Sequence, residues 1–504
     1  STIKFNYWKK KNVPFPKPLP LLGNYGKFIL LQEYIGQVLQ GLCKKFPNAP
    51  YFGAFYGTEP VLVVQGPEIL KQVFTKDFHY FNGREITKYE NKEMINQNLY
   101  FAGGDKWKVV RQSMTPSFTT AKLKNMFYLI EKCSYLFEEI LDREVSASDV
   151  VNVKRLSSRY AMDCIATCSF GIDANTMNSP KNNPFVMISD AILTPTNSRG
   201  FVIVGRAIWP AIFYGLGFKF FSDTINNFFL KMLTDVFKSR DYKPSSRNDF
   251  VDQMLILHNK KVITSSCIRN VITGLDEKVH MEIDDDVMVS QSIVIFAGGF
   301  ETSASTLSFT LFELAKNPEV QKRAAAEVDE YLRRHGNQIK YECIDELPYL
   351  TACVYETLRL YPPFGVLTRE VMDDVTLPDG LQLDKGVRVH IPVYSLHRDP
   401  ENFPEPESYK PERFLPENKD NIKPYTYFPY GEGPRVCIGK RFSKMTVLPG
   451  LLTYLKKYKL EMAEGMPTTV PYDSRSYSIS PKLNGLFLKL RERDGWENNT
   501  FVRD

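Results

Sequence analysis

One cysteine stands in a setting unlike the other seven. Residues 430–439 run Tyr430-Gly431-Glu432-Gly433-Pro434-Arg435-Val436-Cys437-Ile438-Gly439. Three glycines and a proline around one sulfur describe a backbone that approaches something closely and holds the thiol in a fixed direction. Arg435, two positions ahead, is placed to lower the thiol pKa and to meet an anionic group. Taken alone, such a cysteine also reads as a small buried hydrophobe. The run from Gly433 to Gly439-Lys440 is not a phosphate loop: its glycine spacing is one residue too long, and Arg441 stands where Ser or Thr is required.

A second segment couples space to proton chemistry. Asp284, Asp285 and Asp286 open a helical pattern, where carboxylates oppose the positive end of the helix dipole. An apolar run follows to Ala297-Gly298-Gly299-Phe300-Glu301-Thr302. Two helical glycines cost about 1 kcal/mol each against Ala, and what they provide is room beside the backbone. Glu301 can exchange protons with solvent, and Thr302 can donate and accept. A bent helix with no chemistry has the same residues. Two spaced pairs complete the set: Trp107 and Arg111 on one helical face, and Glu356 and Arg359 three apart on another.

The elements that must position these groups are mostly helical. Short strands are expected near 51–56 and 61–65, then helical periodicity from about Pro67 to Tyr361. Asn317-Pro318-Glu319 starts one helix, Val320, Ala324, Val328 and Leu332 follow at four-residue steps, and His335-Gly336 closes it. Six prolines between Asp399 and Pro424 exclude long helices and imply an ordered meander. No internal repeat or low-complexity linker breaks the 504 residues, so residues 25–504 are expected to form one large domain. Residues 1–24 are expected to be a basic, Pro-rich juxtamembrane stub, with Tyr7 and Trp8 at the interface, an anchor having preceded it. The block from Phe201 to Phe221 is interrupted by Arg206, Pro210 and Lys219, a poor span but an interfacial patch or buried helices.

Composition narrows the partners. A net charge of +6 over this length does not argue for nucleic acid. Eight cysteines without CxxC spacing read as reduced thiols facing the cytosol. Cys164 and Cys168 share a face with no cluster that would complete a zinc site, and neither a GxSxG elbow nor a strand-associated GxGxxG is present.

Gly433, Arg435, Cys437 and Gly439 resemble the haem-binding signature of the cytochrome P450 family, with Tyr430 where the family usually has Phe. Similarity extends from Trp8 past Cys437, in the motif order of the animal microsomal branch. The Pro-rich start, Trp-Lys-Val-Val-Arg and Phe-Ala-Gly-Gly-Phe-Glu-Thr look most like the insect detoxification members. The resemblance implies a mainly α fold with small β-sheets, haem b (iron protoporphyrin IX) lying between the long oxygen-side helix and the cysteine loop with its following helix, and Cys437 as metal ligand. It implies that Trp107, Arg111, Arg369 and Arg435 hold the propionates, and that Gly431, Gly433 and Gly439 with Tyr430 shape the loop. Gly298, Gly299, Glu301 and Thr302 are implied on the oxygen side, and Glu356, Arg359 and Arg413 as a structural network. Val294, Ala297, Phe364 and Val366, with the Arg84–Asp105 loop and the Phe201–Phe221 block, are implied to line the substrate pocket.

The implied activity is NADPH-dependent monooxygenation of small lipophilic substrates by dioxygen, detoxification of xenobiotics, plant toxins or insecticides foremost, with oxidation of an endogenous lipid or hormone as the alternative. A thiolate-haem isomerase and a non-catalytic haem or ligand-binding protein are rivals that have no need for Glu301-Thr302. Electrons would come from a separate NADPH-cytochrome P450 reductase, with cytochrome b5 a further partner, docking on Arg435, Lys440, Arg441 and Lys444. A monomer on the cytosolic face of the endoplasmic reticulum membrane is expected.

Overall fold

The computed structural model describes residues 3–476, 478–483 and 485–503. Its strands are β1 (Tyr51–Tyr56), β2 (Glu59–Val64), β3 (Val150–Asn152), β4 (Val262–Ser266), β5 (Lys278–Glu282), β6 (Leu367–Glu370), β7 (Val375–Thr376), β8 (Gln382–Leu383), β9 (Arg388–Ile391), β10 (Tyr458–Met462) and β11 (Phe487–Glu492). The largest sheet has the order β1-β2-β9-β6, antiparallel except for β2 beside β9. A three-stranded sheet, β10-β11-β3, and two hairpins complete the β structure; the rest is mainly helical.

The expected helical stretch is interrupted at two places. β3 is built by pairing with β11, more than 300 positions later, which no local pattern reveals. Val262-Ile263-Thr264 carries β-branched residues suited to the β4–β5 hairpin. Helix Pro318–Arg334 stands where expected, with Ala324, Val328 and Leu332 buried. Asn317 does not cap it through its side chain; it donates instead to Glu313 O, closing the preceding helix. The proline-rich stretch forms short 3₁₀ turns at Pro411–Phe414 and Pro416–Asn421.

The N-terminal segment is not a free stub. Trp8 is fully buried, its Nε1 donating to Ala54 O at 2.9 Å, and Gly53 leaves the slot: a Cβ there would lie 2.3 Å from the indole. Gly53 N donates to Pro14 O, while Lys4 and Lys11 pair with Glu59 and Asp384. The expectation of Trp8 at an interface therefore fails, because β1 offers it a dry cleft. Leu19 and Leu21 of this segment stay exposed, as do Phe201, Ile212, Leu216 and Phe218 in and after helices Asn197–Ile208 and Pro210–Gly215.

The organising element is helix Asp285–Lys316, capped by the Asp284 carboxylate accepting from Val287 N at 2.8 Å. Its length and apolarity would suit a membrane span, but most of it is buried in the protein. It packs on helices Val153–Ile165, Pro348–Leu360 and Lys440–Leu455. Between Val287 and Ala315 every residue is buried except Val294, Ala297, Gly298, Gly299, Glu301 and Thr302. Apart from Gly299 these fall at i, i+3, i+4, i+7 and i+8, one helical face lining open space.

Candidate active site

The cysteine loop is shaped by close backbone approach. Gly433 has φ +70°, and a Cβ there would lie 1.9 Å from Phe74 O; Gly431 has φ +75°. Cys437 N–H donates to Tyr430 O at 2.8 Å, and Arg111 Nη1 to Val436 O at 2.9 Å. Tyr430 places its hydroxyl 3.4 Å from Ser443 Oγ, so the buried oxygen finds a partner. Seven cysteines are buried; Cys437 alone is exposed. Burial nevertheless raises its thiol pKa, opposed by the Gly439 N–H and by the charges of Arg111 and Lys440. A sulfur both accessible and desolvated faces space inside the protein. Arg111 and Lys440, rather than the expected Arg435, are the cations that act on it.

Beside the loop lies a cluster of buried cations. Arg84, Arg369 and Arg435 are each less than a tenth exposed. Arg84 Nη1 and Arg369 Nη1 donate to Thr368 O at 3.0 and 2.9 Å, and Arg435 donates to Ala102 O. Their guanidiniums cover the rings of Tyr100, Phe74 and Trp107. All three Nε atoms are buried without an acceptor, and among the described residues no carboxylate pairs with any of the three. Desolvation and neighbouring arginines push Arg369 and Arg435 well below the usual guanidinium range. Uncompensated buried charge costs several kcal/mol per ion, so the cluster calls for an anionic group, and a porphyrin's two propionates fit it. Arg84 joins this cluster although sequence placed its loop on the substrate side. A single arginine in an irregular segment carries no periodic signal.

Gly298 opens on free space, with nothing within 4 Å of an added Cβ. Gly299 does not share that groove: its Cβ would meet Ile165 Cδ1 at 2.6 Å, so its expected cofactor contact is corrected to a helix-packing role. Thr302 Oγ1 donates to Gly298 O at 2.7 Å. Glu301 is held by Lys154 Nζ at 2.9 Å and Ser305 Oγ at 3.2 Å. It also borders a pocket of about 20 Å³ with Ser476, Ser478 and Ser480, room for about one water. Lys154 went unnoticed in the sequence because its partner lies 147 positions away. Phe364 and Val366 line a larger cavity of about 100 Å³; Val294 and Ala297 lie on the accessible face of the long helix.

The scaffold pair is wholly buried. Arg359 Nε and Nη2 meet Glu356 at 2.8 Å each, and the same guanidinium donates to His397 O, Pro406 O and Ser408 O. Arg413 Nε lies 3.5 Å from Glu356 Oε1, which also accepts from Lys410 N. His397 Nε2 accepts from Phe428 N at 3.1 Å, tying this network to the cysteine loop; burial with Arg359 and Arg398 lowers its pKa to about 3. The expected basic docking face is smaller than four residues. Arg435 points inward and Lys444 is half-buried, donating to Ile344 O, which leaves Lys440 and Arg441 exposed.

A long buried helix with one open face, together with a thiol loop flanked by arginines that no described carboxylate pairs, defines the class of a haem-thiolate protein. The family model for Cytochrome P450 matches residues 13–486. Relatives include Cytochrome P450 6k1 of Blattella germanica, 35% identical over 94% of this chain and 91% of its own. Cytochrome P450 9e2 of the same insect is 33% identical over 98% and 95%, and Cytochrome P450 6B2 of Helicoverpa armigera 32% over 98% and 95%. The chain belongs to the cytochrome P450 family. The family indicates a monooxygenase with haem on a cysteine thiolate.

Proposed function

We propose that this chain oxidises small lipophilic substrates, foreign compounds such as plant toxins or insecticides among them, with electrons from NADPH passed on by a separate flavoprotein reductase. The observation that supports it best is the accessible sulfur of Cys437 beside three buried arginines that lack a carboxylate. When bound, a thiolate-ligated haem supplies dioxygen cleavage, because the sulfur pushes electron density toward the iron. Cys437 is the ligand, and metal binding would displace its proton. Arg84, Arg369 and Arg435, with Trp107 and Arg111, would hold the propionates. Gly298 leaves room on the oxygen side. Thr302 Oγ1 gives up its bond to Gly298 O to donate toward the reacting centre. Glu301, released from Lys154, brings protons from the serine-lined pocket. Lys440 and Arg441 attract the acidic reductase, and the apolar surface around Phe201 and Leu216 rests on the cytosolic face of the endoplasmic reticulum membrane.

Reconstitution with reductase, NADPH and labelled dioxygen tests this: one labelled oxygen in the product of a lipophile panel is expected. Cys437→Ala should lose the thiolate-type spectrum of the reduced carbon monoxide complex. An unchanged spectrum, or no turnover of any lipophile by well-reduced enzyme, overturns the assignment.

A further inference from the structure

The 100 Å³ cavity is walled largely by rings, among them Phe28, Tyr56, Phe101, Phe220 and Phe364, and it reaches Arg84 and Thr368 of the arginine cluster. One more cation lines it. Arg206, on helix Asn197–Ile208, is 4% exposed, and its guanidinium lies between Phe101 and Phe220, 4.2 Å from each ring centre. Nε donates to Tyr214 Oη at 2.9 Å and Nη2 to Asn96 Oδ1. Nη1 meets no acceptor among the described residues, nor does any carboxylate there pair with the guanidinium. The nearest acid of this network, Glu93, accepts from Phe220 N and Phe221 N and reaches Arg206 only through Tyr214. The cavity's own carboxylate, Glu85, is engaged by His390 Nε2 at 2.6 Å, with Tyr25 Oη on the other ring nitrogen.

A desolvated guanidinium with a spare N–H edge, set among rings, recognises a planar anion on an apolar body. We propose that Arg206 is a substrate-recognition residue that binds the carboxylate of aryl-bearing lipophilic acids, their apolar body lying among the rings of this cavity. This rests on the monooxygenase reading above and adds the substrate class.

The test uses holoenzyme and three probes: 6-phenylhexanoate, its methyl ester and 1-phenylhexane, titrated by equilibrium dialysis. Wild type is expected to bind the acid about tenfold or more tighter than the ester, the scale of a charge-assisted hydrogen bond. Arg206→Gln should erase that preference, the acid-to-ester affinity ratio falling to about one or below. Asn96→Asp puts a carboxylate against Nη2 without changing side-chain size and should erase it too, so the comparison survives if Arg206→Gln fails to hold haem. Arg206→Lys should keep part of it. An acid-to-ester ratio that is the same in wild type, Arg206→Gln and Asn96→Asp overturns the assignment of Arg206. The reduced carbon monoxide spectrum of wild type, recorded on the same preparation, separates this from failure of the monooxygenase reading, which would remove the thiolate band itself.

Discussion

Acidification should loosen the cysteine loop through His397. This ring is fully buried, and its Nε2 must stay unprotonated to accept from Phe428 N, two residues before Tyr430. Burial, then the charges of Arg359 and Arg398, lower its pKa from 6.5 to about 3. The unfolded chain therefore takes up a proton below pH 6.5 that the folded chain refuses until about pH 3, so stability is full above 6.5 and falls as pH drops. The slope for one proton is about 1.4 kcal/mol per pH unit, so going to pH 4 withdraws roughly 3 kcal/mol, a large share of a typical 5–15. Carboxylates elsewhere titrate over the same range, so the measurement is a difference. Urea midpoints of wild type and His397→Gln, which keeps an acceptor that cannot be protonated, should be followed from pH 7.5 to 4. The variant starts lower for lost ring packing against Tyr427 and Phe428, but its curve should be flatter, the two converging by roughly 3 kcal/mol. Parallel curves would refute the assignment of a neutral, loop-tethering histidine.

The other expectations concern neighbouring residues. Arg359→Leu takes the two-point partner from a buried Glu356, leaving it Arg413 and Lys410 N, and removes the donor to three carbonyls, costing about 3–5 kcal/mol, and should yield protein that does not retain haem; normal incorporation, read from the haem absorbance, would contradict it. The adjacent glycines should behave oppositely. Gly299→Ala must displace Ile165 and should lose about 1–3 kcal/mol, whereas Gly298→Ala meets nothing, gains up to about 1 kcal/mol of helix propensity, and should instead impair substrate oxidation. Thermal melts beside turnover assays distinguish the two. Thr302→Ala should keep the thiolate spectrum and divert reducing equivalents to peroxide, while fully coupled turnover would remove Thr302 from proton delivery.

Much of the site was legible because its residues are close in the chain. Tyr430 to Gly439 and Ala297 to Thr302 are short stretches whose unusual composition has few structural explanations, and they led to the family. The pair Glu356 and Arg359 was visible at three-residue spacing. What composition and period left undecided was direction. The same double glycine holds one residue that opens a groove and one that admits Ile165, because neighbouring helical positions point about 100° apart and only the packing of helix Val153–Ile165 says which is which. Arg435 looked like both a docking charge and a cofactor contact, and it turns inward because Ala102 O and the Trp107 ring await it. Trp8 suited a membrane interface by residue type alone, and only the slot that Gly53 leaves shows that the indole packs inside. Local sequence thus determined the chemistry on offer and the helices carrying it. The tertiary fold decided which charges are left unpaired in the interior, because a buried ion's cost depends on neighbours drawn from segments tens to hundreds of positions apart, such as Arg84, Arg369 and Arg435.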